Sequence, residues 1–265
     1  MSNPPSADVQ AAAERRSRTL LLSAFALSMA ALGLSTAALV IALGFAGKGE
    51  APTDINSQFR AYLLANPQII VKAVNQLESR QKVTEADELT ALIAGASDEL
   101  FNDPASPIGG NPEGDVTLVE FFDYNCPYCR KAAPILIELE AGDSGLRIVY
   151  KEFPILGPGS EFAARAALAS RRQNKYTVFH KAMMVHAGRI DEGSVLEIAA
   201  GLGLNVGQLK KDMADPAIAQ AISGNLALAQ TLRITGTPGF VTANEIVRGL
   251  VPLRSMKDLI AKARQ

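Results

Sequence analysis

The sequence predicts an α/β fold, because two strand-like runs flank a helical run and a longer helical region follows them. Residues 116–122 and 146–150 are nearly continuous in apolar and β-prone side chains, which is typical of strands buried on both faces. Residues 126–140 show helical apolar spacing, with a kink expected at Pro134. The order strand–helix–strand predicts a parallel pair with a right-handed crossover.

The composition excludes several kinds of protein. With 48% hydrophobic and 20% charged residues the chain can bury a sizeable core, and its formal net charge of -1 gives no indication of nucleic-acid binding. Cys126 and Cys129 are its only cysteines, so disulfides do not staple the fold. The two histidines, His180 and His186, do not share a helical face. We therefore expect neither a structural zinc site nor a cofactor.

The N-terminal region predicts a membrane anchor. Residues 19–47 carry no charged side chain, and this run exceeds the ~20 residues that span a bilayer. Three arginines precede it, so the positive-inside rule places residues 1–18 in the cytoplasm and everything after about residue 47 outside. A cleaved signal sequence is the alternative, because small residues near the end of the run could form a cleavage site. Either arrangement puts the rest of the chain in an oxidising compartment.

Residues 48–101 are predicted to be a helical linker. Asn66-Pro67 separates two helices, because asparagine is a good N-cap and proline is tolerated at the first helical position. Two apolar stripes support them: Ile55, Phe59, Tyr62 and Leu63 in the first, and Ile70, Val74 and Leu77, at coiled-coil-like spacing, in the second. Such a stripe must be buried, either on the main domain or against further copies of the chain, and both arrangements remain open.

The main domain is predicted to span residues 102–265. It begins with a segment rich in proline and glycine, residues 102–115, which is interpreted as a linker before the first core strand. Residues 159–232 are predicted to be helical throughout, with Met183 and Met184 in the core rather than in a copper site. A last strand is expected at residues 245–248 and a closing helix at residues 252–263.

The sequence Cys126-Pro127-Tyr128-Cys129 opens the predicted helix after a strand. The free N–H groups and the dipole at a helix start stabilise a thiolate, which lowers the pKa of Cys126 below ~8.5. A thiolate there attacks a disulfide in a client protein, and Cys129, one turn on, is placed to resolve the mixed disulfide. A pair of inert buried thiols is the less favoured alternative.

Two further features surround this motif in the prediction. Glu120 lies within a buried strand, where an acid costs free energy unless it is paired or protonated. We predict that it lies beneath the cysteines, transfers a proton to Cys129 and pairs with Lys151; an exposed pleat is the alternative. Thr237-Pro238 enters a β-prone stretch, which is consistent with a cis bond that bares the Thr237 backbone for a client peptide.

These motifs resemble the DsbA-type thiol:disulfide oxidoreductases of the thioredoxin superfamily. The resemblance rests on residues 121–129, 151–154 and 236–238, and it covers about residues 102–265. It implies a thioredoxin fold with a helical insertion. It also implies roles for individual residues: Cys126 as nucleophile, Cys129 as resolving thiol, Pro238 as cis-proline, and Glu120 with Lys151 as a buried pair.

Two details refine the resemblance. The segment from Tyr62 through Pro67 onward resembles the N-terminal region of the ScsC-like subgroup, where that region makes oligomers and favours disulfide isomerisation. This resemblance favours self-association over docking on the main domain, and it implies that residues 48–101 are an oligomerisation segment of a homo-oligomer. The strongly oxidising DsbA proteins have histidine where this chain has Tyr128, and histidine helps to stabilise the thiolate. The strength of this protein as an oxidant is therefore left open by the sequence.

We accordingly predict an inner-membrane anchored oxidoreductase whose catalytic domain lies in the periplasm. It would form or isomerise disulfides in client proteins and exchange electrons with a membrane redox partner. A monomer would favour an oxidase and a homo-oligomer an isomerase. The alternative from another class is a protein that binds Cu(I) through Cys126 and Cys129. A glutathione-using enzyme of the same fold is a third alternative.

Overall fold

The structure, a computed structural model, describes residues 55–265. The predicted cytoplasmic segment 1–18 and the predicted anchor 19–47 lie outside these residues. The chain divides into two compact units, one that ends at Gln76 and one that spans Leu77–Gln265. Within residues 55–265, none of the helices combines the length and the apolar character that crossing a bilayer requires.

The first unit contains the predicted helix pair. Helix α1 spans Ile55–Ala65, and helix α2 spans Gln68–Gly95 and continues into the second unit. Asn66 lies between them, and its side chain donates to the carbonyl of Tyr62 (2.9 Å). The apolar side chains of α1 and of the start of α2 are exposed: Ile55, Phe59, Tyr62, Leu64, Ile70, Val71 and Val74.

The second unit is built on a five-stranded sheet in the order β1-β3-β2-β4-β5. The strands are β1 (Ile108–Gly110), β2 (Val116–Phe122), β3 (Leu146–Glu152), β4 (Gly239–Val241) and β5 (Ile246–Arg248). Strands β2 and β3 pair in parallel, and the other three neighbouring pairs are antiparallel. The predicted parallel β2–β3 pair is confirmed.

Strand β1 lies in the segment that the sequence analysis interpreted as a linker. It is only three residues long, and two of them are glycines. Gly109 packs so closely on β3 that an added Cβ would lie 2.7 Å from the Tyr150 ring. A glycine-rich run is a poor strand signal, and the close backbone approach that requires glycine here is visible only in the folded chain.

Helices cover both faces of the sheet. Helix α3 (Pro127–Gly142) links β2 to β3, and the insertion between β3 and β4 contains α4 (Pro158–Ser170), α5 (Tyr176–Val185), α6 (Glu192–Gly201), α7 (Val206–Asp212) and α8 (Pro216–Thr231). Helix α9 (Leu253–Ala263) closes the chain. The predicted helical insertion and closing helix are thus confirmed.

The side chains of β2 alternate between two apolar clusters, as a strand buried on both faces requires. Leu118 and Phe122 belong to a large cluster with α3 and the insertion, whereas Val119 and Phe121 belong to a second cluster on the opposite face. The second cluster includes Ile93, from the end of α2. The compact unit therefore begins upstream of the predicted boundary at residue 102.

Candidate active site

The loop between β2 and α3 carries the cysteine pair. Cys126 is the N-cap of α3 in an extended conformation, and Pro127 occupies the first turn, where a missing N–H costs nothing. The N–H of Cys126 donates to the carbonyl of Asp123 (3.0 Å), which closes the loop. Cys126 is 4% exposed and Cys129 is fully buried, while the Tyr128 side chain between them is 56% exposed. Both cysteines are therefore buried, and only Cys126 keeps a small solvent exposure.

The two thiols differ sharply in acidity. The pKa of Cys126 is lowered to about 5, chiefly by a hydrogen bond from Cys129 and further by Thr237 and by the N–H groups of Tyr128 and Cys129, against the opposing effect of burial. Burial raises the pKa of Cys129, and so do its hydrogen bond to Cys126 and the negative charge of Glu120. At neutral pH the outer sulfur is therefore a thiolate and the inner one a thiol.

The loop before β4 faces the outer cysteine. The Thr237–Pro238 peptide bond is cis, as predicted from the sequence. Cys126 Sγ lies 3.3 Å from the carbonyl oxygen of Thr237, and Pro238 is buried behind it. The Pro238 carbonyl accepts from the N–H of Gly249 (2.7 Å), which fixes the loop to the segment after β5. The cysteine motif and Thr237-Pro238 thus form one site.

Glu120 lies in the middle of β2 and is 1% exposed, so the alternative of an exposed pleat is wrong. Among the described residues neither carboxyl oxygen finds a hydrogen-bond partner. Burial raises the pKa of Glu120 to about 8, with smaller contributions from the charges of Cys126 and Glu140. The carboxyl group is therefore mostly protonated at neutral pH, and it is close enough to Cys129 to affect the acidity of that thiol.

The predicted pair of Glu120 with Lys151 is wrong. The β2–β3 register aligns Glu120 with Tyr150 and Phe121 with Lys151. Because neighbouring side chains on a strand point to opposite faces, Glu120 and Lys151 lie on opposite sides of the sheet. Lys151 Nζ instead donates to Asp103 Oδ2 (2.9 Å), to Ser106 Oγ (2.6 Å) and to the carbonyl of Glu99.

Asp123, which is 1% exposed, is not among the site residues predicted from the sequence. Its Oδ1 accepts from the N–H of Asn125 (2.7 Å) and the hydroxyl of Ser160 (2.7 Å). Its Oδ2 accepts from the N–H groups of Ile155 (2.8 Å) and Leu156 (2.9 Å). An acid directly after a buried strand and three residues before the cysteine was the available signal.

Arg130, in the first turn of α3, is likewise not among the predicted site residues. Its Nε donates to the carbonyl of Tyr124 (2.9 Å), and its Nη1 donates to the carbonyls of His186 (3.1 Å) and Gly188. Asn125 adds a second bridge, because its side chain exchanges two hydrogen bonds with the backbone of Ile190 (both 2.9 Å). These hydrogen bonds therefore hold the cysteine loop, between β2 and α3, against the loop that follows α5.

A buried polar network lies behind the same loop. Glu152 Oε1 accepts from the hydroxyls of Tyr124 (3.0 Å) and Tyr176 (2.8 Å), and the Tyr124 hydroxyl also lies 3.1 Å from His180 Nδ1. Burial raises the pKa of Glu152 well above its usual value and lowers that of His180 to about 3. His180 is therefore uncharged at neutral pH. Met183 and Met184, as predicted, are core residues.

The sequence matches two families of known proteins. Residues 117–261 match the DSBA-like thioredoxin domain, and residues 53–82 match the copper resistance protein ScsC N-terminal domain.

Solved structures that are similar to the chain include the following three. A thioredoxin-like oxidoreductase from Silicibacter pomeroyi is 51% identical, with a TM-score of 0.62 over 63% of this chain and 96% of that chain. A Proteus mirabilis ScsC linker-deletion mutant is 25% identical, with a TM-score of 0.62 over 82% of this chain and 96% of that one. A periplasmic thioredoxin-like protein from Salmonella enterica is 28% identical, with a TM-score of 0.58 over 63% and 95%.

Among curated relatives, the Na(+)/H(+) antiporter NhaA 3 of Salinispora tropica is 29% identical over 60% of this chain. The chain spans about a quarter of the length of the first curated relatives that it matches (26% and 24%).

Proposed function

The chain belongs to the DsbA-like thioredoxin-domain family of thiol–disulfide oxidoreductases, and from that premise we propose that Cys126 and Cys129 exchange disulfides with client proteins. The observation that carries the proposal is the contrast between the two thiols. Cys126 has a pKa near 5 and keeps a small solvent exposure, whereas Cys129 is fully buried and its pKa is raised. A ready thiolate beside a protected thiol suits a nucleophile and its resolving partner.

In the oxidising direction, a client thiolate attacks the sulfur of Cys126 in the Cys126–Cys129 disulfide. That disulfide breaks, Cys129 leaves as a thiolate, and a mixed disulfide joins the client to Cys126. A second client thiolate then attacks the client sulfur of the mixed disulfide, and Cys126 leaves as a thiolate. Two electrons pass from the client to the cysteine pair, and the client gains one disulfide. Isomerisation begins instead from the reduced pair, with Cys126 attacking a client disulfide.

Glu120 is proposed to serve the inner cysteine. A leaving Cys129 thiolate has a raised pKa and must take up a proton, and the buried Glu120 carboxyl, with a pKa near 8, can donate one at neutral pH. In the reverse step the Glu120 carboxylate accepts that proton. Lys151 is committed to Asp103 on the other face of the sheet, so this proposal gives it no part in the transfer.

The exposed backbone around Thr237 is proposed to hold the client. Its carbonyl lies 3.3 Å from Cys126 Sγ, so a peptide that pairs with Thr237 in β fashion would lie across the sulfur. Pro127 and Tyr128, which follow Cys126 directly, are exposed, and we propose that they contact the same peptide.

We also propose that the protein acts outside the cytoplasm, in the periplasm, and that residues 19–47 anchor it in the inner membrane. The uncharged run and the preceding arginines support the anchor, and the similarity to a periplasmic thioredoxin-like protein of Salmonella enterica supports the compartment. A membrane redox partner would restore the oxidation state of the cysteines after each turnover.

Self-association is proposed through α1 and the start of α2. Seven apolar side chains there are exposed in the single chain: Ile55, Phe59, Tyr62, Leu64, Ile70, Val71 and Val74. An apolar face of this size favours burial against further copies, and residues 53–82 match the ScsC N-terminal domain. A homo-oligomer would favour isomerase activity, and a monomer would favour an oxidase.

The experiment that tests the exchange function is a redox titration of the purified chain against glutathione, together with turnover of a peptide mixed disulfide. A potential near ~-120 to -180 mV supports a disulfide donor or isomerase, and one below ~-270 mV supports a reductant. Cys126→Ser should abolish turnover, and Cys129→Ser should accumulate the mixed disulfide. A pair that never forms a disulfide, yet binds Cu(I) unless Cys126 is replaced, would overturn the proposal in favour of the Cu(I)-binding alternative.

A further inference from the structure

Asp123 is the residue through which three separate segments meet beside the nucleophile. Its backbone carbonyl accepts the N–H of Cys126 (3.0 Å), and its side chain reaches the loop after β3 and the first turn of α4. Its four side-chain partners all donate: the N–H groups of Asn125, Ile155 and Leu156, and the hydroxyl of Ser160. The carboxylate is thus fully used as an acceptor, two donors on each oxygen, although it is 1% exposed.

The contacts of Asp123 extend from the cysteine loop to the start of the helical insertion. The loop after β3 turns into α4 at Gly157, whose φ of 106° favours glycine, and the two residues before it donate to one oxygen of Asp123. Ser160 donates to the other oxygen, and its hydroxyl also accepts from the side chain of Asn125 (3.0 Å), the residue that precedes Cys126. Ser160, at the start of the insertion, is therefore linked to the cysteine loop through Asp123 and through Asn125.

We propose that Asp123 is a positioning residue for thiol–disulfide exchange, which locks the loop that carries Cys126 onto the Ile155–Leu156 loop and the start of the helical insertion. The inference rests on the proposed function. The lock holds Cys126 at the start of α3, opposite the carbonyl of Thr237, before any client arrives. A reacting sulfur that is already in place loses less orientational freedom on reaching the transition state.

The side chain at position 123 must accept four hydrogen bonds. In Asp123→Asn one oxygen becomes an NH2 group, which faces two donors and cannot accept from either. The loop must then move away from the insertion, and Cys126 moves with it. Ser160→Ala is milder, because it removes one donor to Asp123 and the acceptor of Asn125 but leaves the three N–H contacts.

The test uses the full chain and compares Asp123→Asn and Ser160→Ala with Leu209→Ala. Leu209 is a fully buried residue of α7, so its truncation lowers stability without touching the loop. Two quantities are measured for each folded, reduced protein: the rate of Cys126 alkylation by iodoacetamide at pH 6, and the equilibrium constant with glutathione. A loss of stability alone, in a variant that remains folded, is not expected to change either quantity.

We expect Asp123→Asn to change both quantities at least tenfold and Ser160→Ala to change them about threefold. Leu209→Ala should leave both within about 1.5-fold of wild type. The proposal is overturned if Asp123→Asn folds and matches wild type, or if Leu209→Ala reproduces its effect. If Asp123→Asn does not fold, the test rests on Ser160→Ala. An alkylation rate and an equilibrium constant equal to those of wild type in Ser160→Ala would then overturn the proposal. Alkylation needs no client, so the test holds even for a chain without exchange activity.

Discussion

Because the buried carboxyl of Glu120 has no hydrogen-bond partner among the described residues, we predict that the protein loses stability as the pH rises. Replacement of Glu120 by glutamine should remove this loss. The pKa of Glu120 is about 8 in the folded chain against an ordinary value of 4.5. A raised carboxyl pKa means that the folded state binds the proton more tightly, so the free energy of unfolding falls as pH rises from 4.5 to 8 and is constant above that. At 1.36 kcal/mol per pKa unit, the full loss is at most about 5 kcal/mol.

The cysteines would obscure this effect in the wild-type chain. The pKa of Cys126 is lowered to about 5 from 9.0, so the reduced protein gains stability with rising pH over much of the same range. The measurement is therefore made in a Cys126→Ser, Cys129→Ser background. Removal of the Cys126 charge takes away the second cause of the Glu120 shift but leaves burial, the largest one. We expect about 3 kcal/mol of the loss to remain.

The assay is guanidinium unfolding of the double-serine chain with and without Glu120→Gln, at intervals from pH 5 to pH 9. The difference between the two curves isolates Glu120, because Glu152 and His180 contribute equally to both. Glutamine should become more stable relative to glutamate by about 3 kcal/mol across this range, and the exposed-site control Glu138→Gln should stay flat. A Glu120 difference that varies by less than about 0.5 kcal/mol, within ordinary surface effects, would refute a buried proton.

Three further predictions concern the residues around the pair. Lys151→Met should cost about 2 to 4 kcal/mol in chemical denaturation, because it leaves Asp103 without its cation; since Lys151 lies across the sheet from Glu120, the pKa of Cys126 should not move, and a change in that pKa would contradict the register. Alkylation of Cys126 should have its midpoint near pH 5, while Cys129 stays unreactive at neutral pH; a single midpoint near pH 9 would contradict the asymmetry. Tyr128→His should stabilise the thiolate further and raise the reduction potential by about 30 mV for each tenfold change in the glutathione equilibrium; an unchanged potential would show that this exposed position does not control it.

Much of the fold follows from local patterns in the sequence. The two apolar runs, the helix that begins at the cysteines and the cis bond at Pro238 are all set by neighbouring residues, and each is confirmed. Strand β1 could not be predicted in this way, because Gly109 is required by the close approach of Tyr150 and Gly110 by that of the Leu146 backbone, and both neighbours are distant in the sequence. The contribution of Ile93 and Leu100 to the second cluster likewise depends on where the chain folds back.

The active site, too, could be predicted only in part. The roles of the cysteines and of Pro238 follow from residue type and local position, whereas the partner of a buried charge depends on strand register. A shift of one residue between β2 and β3 would bring Glu120 and Lys151 to the same face, so no reading of either strand alone could settle their pairing. The observed register has a chemical consequence. With Lys151 held by Asp103, no cation compensates Glu120 from that side, and the proton on Glu120 responds to burial and to the charge of Cys126. The acid is therefore coupled to the redox state of the pair, because oxidation removes the Cys126 charge that helps to keep Glu120 protonated.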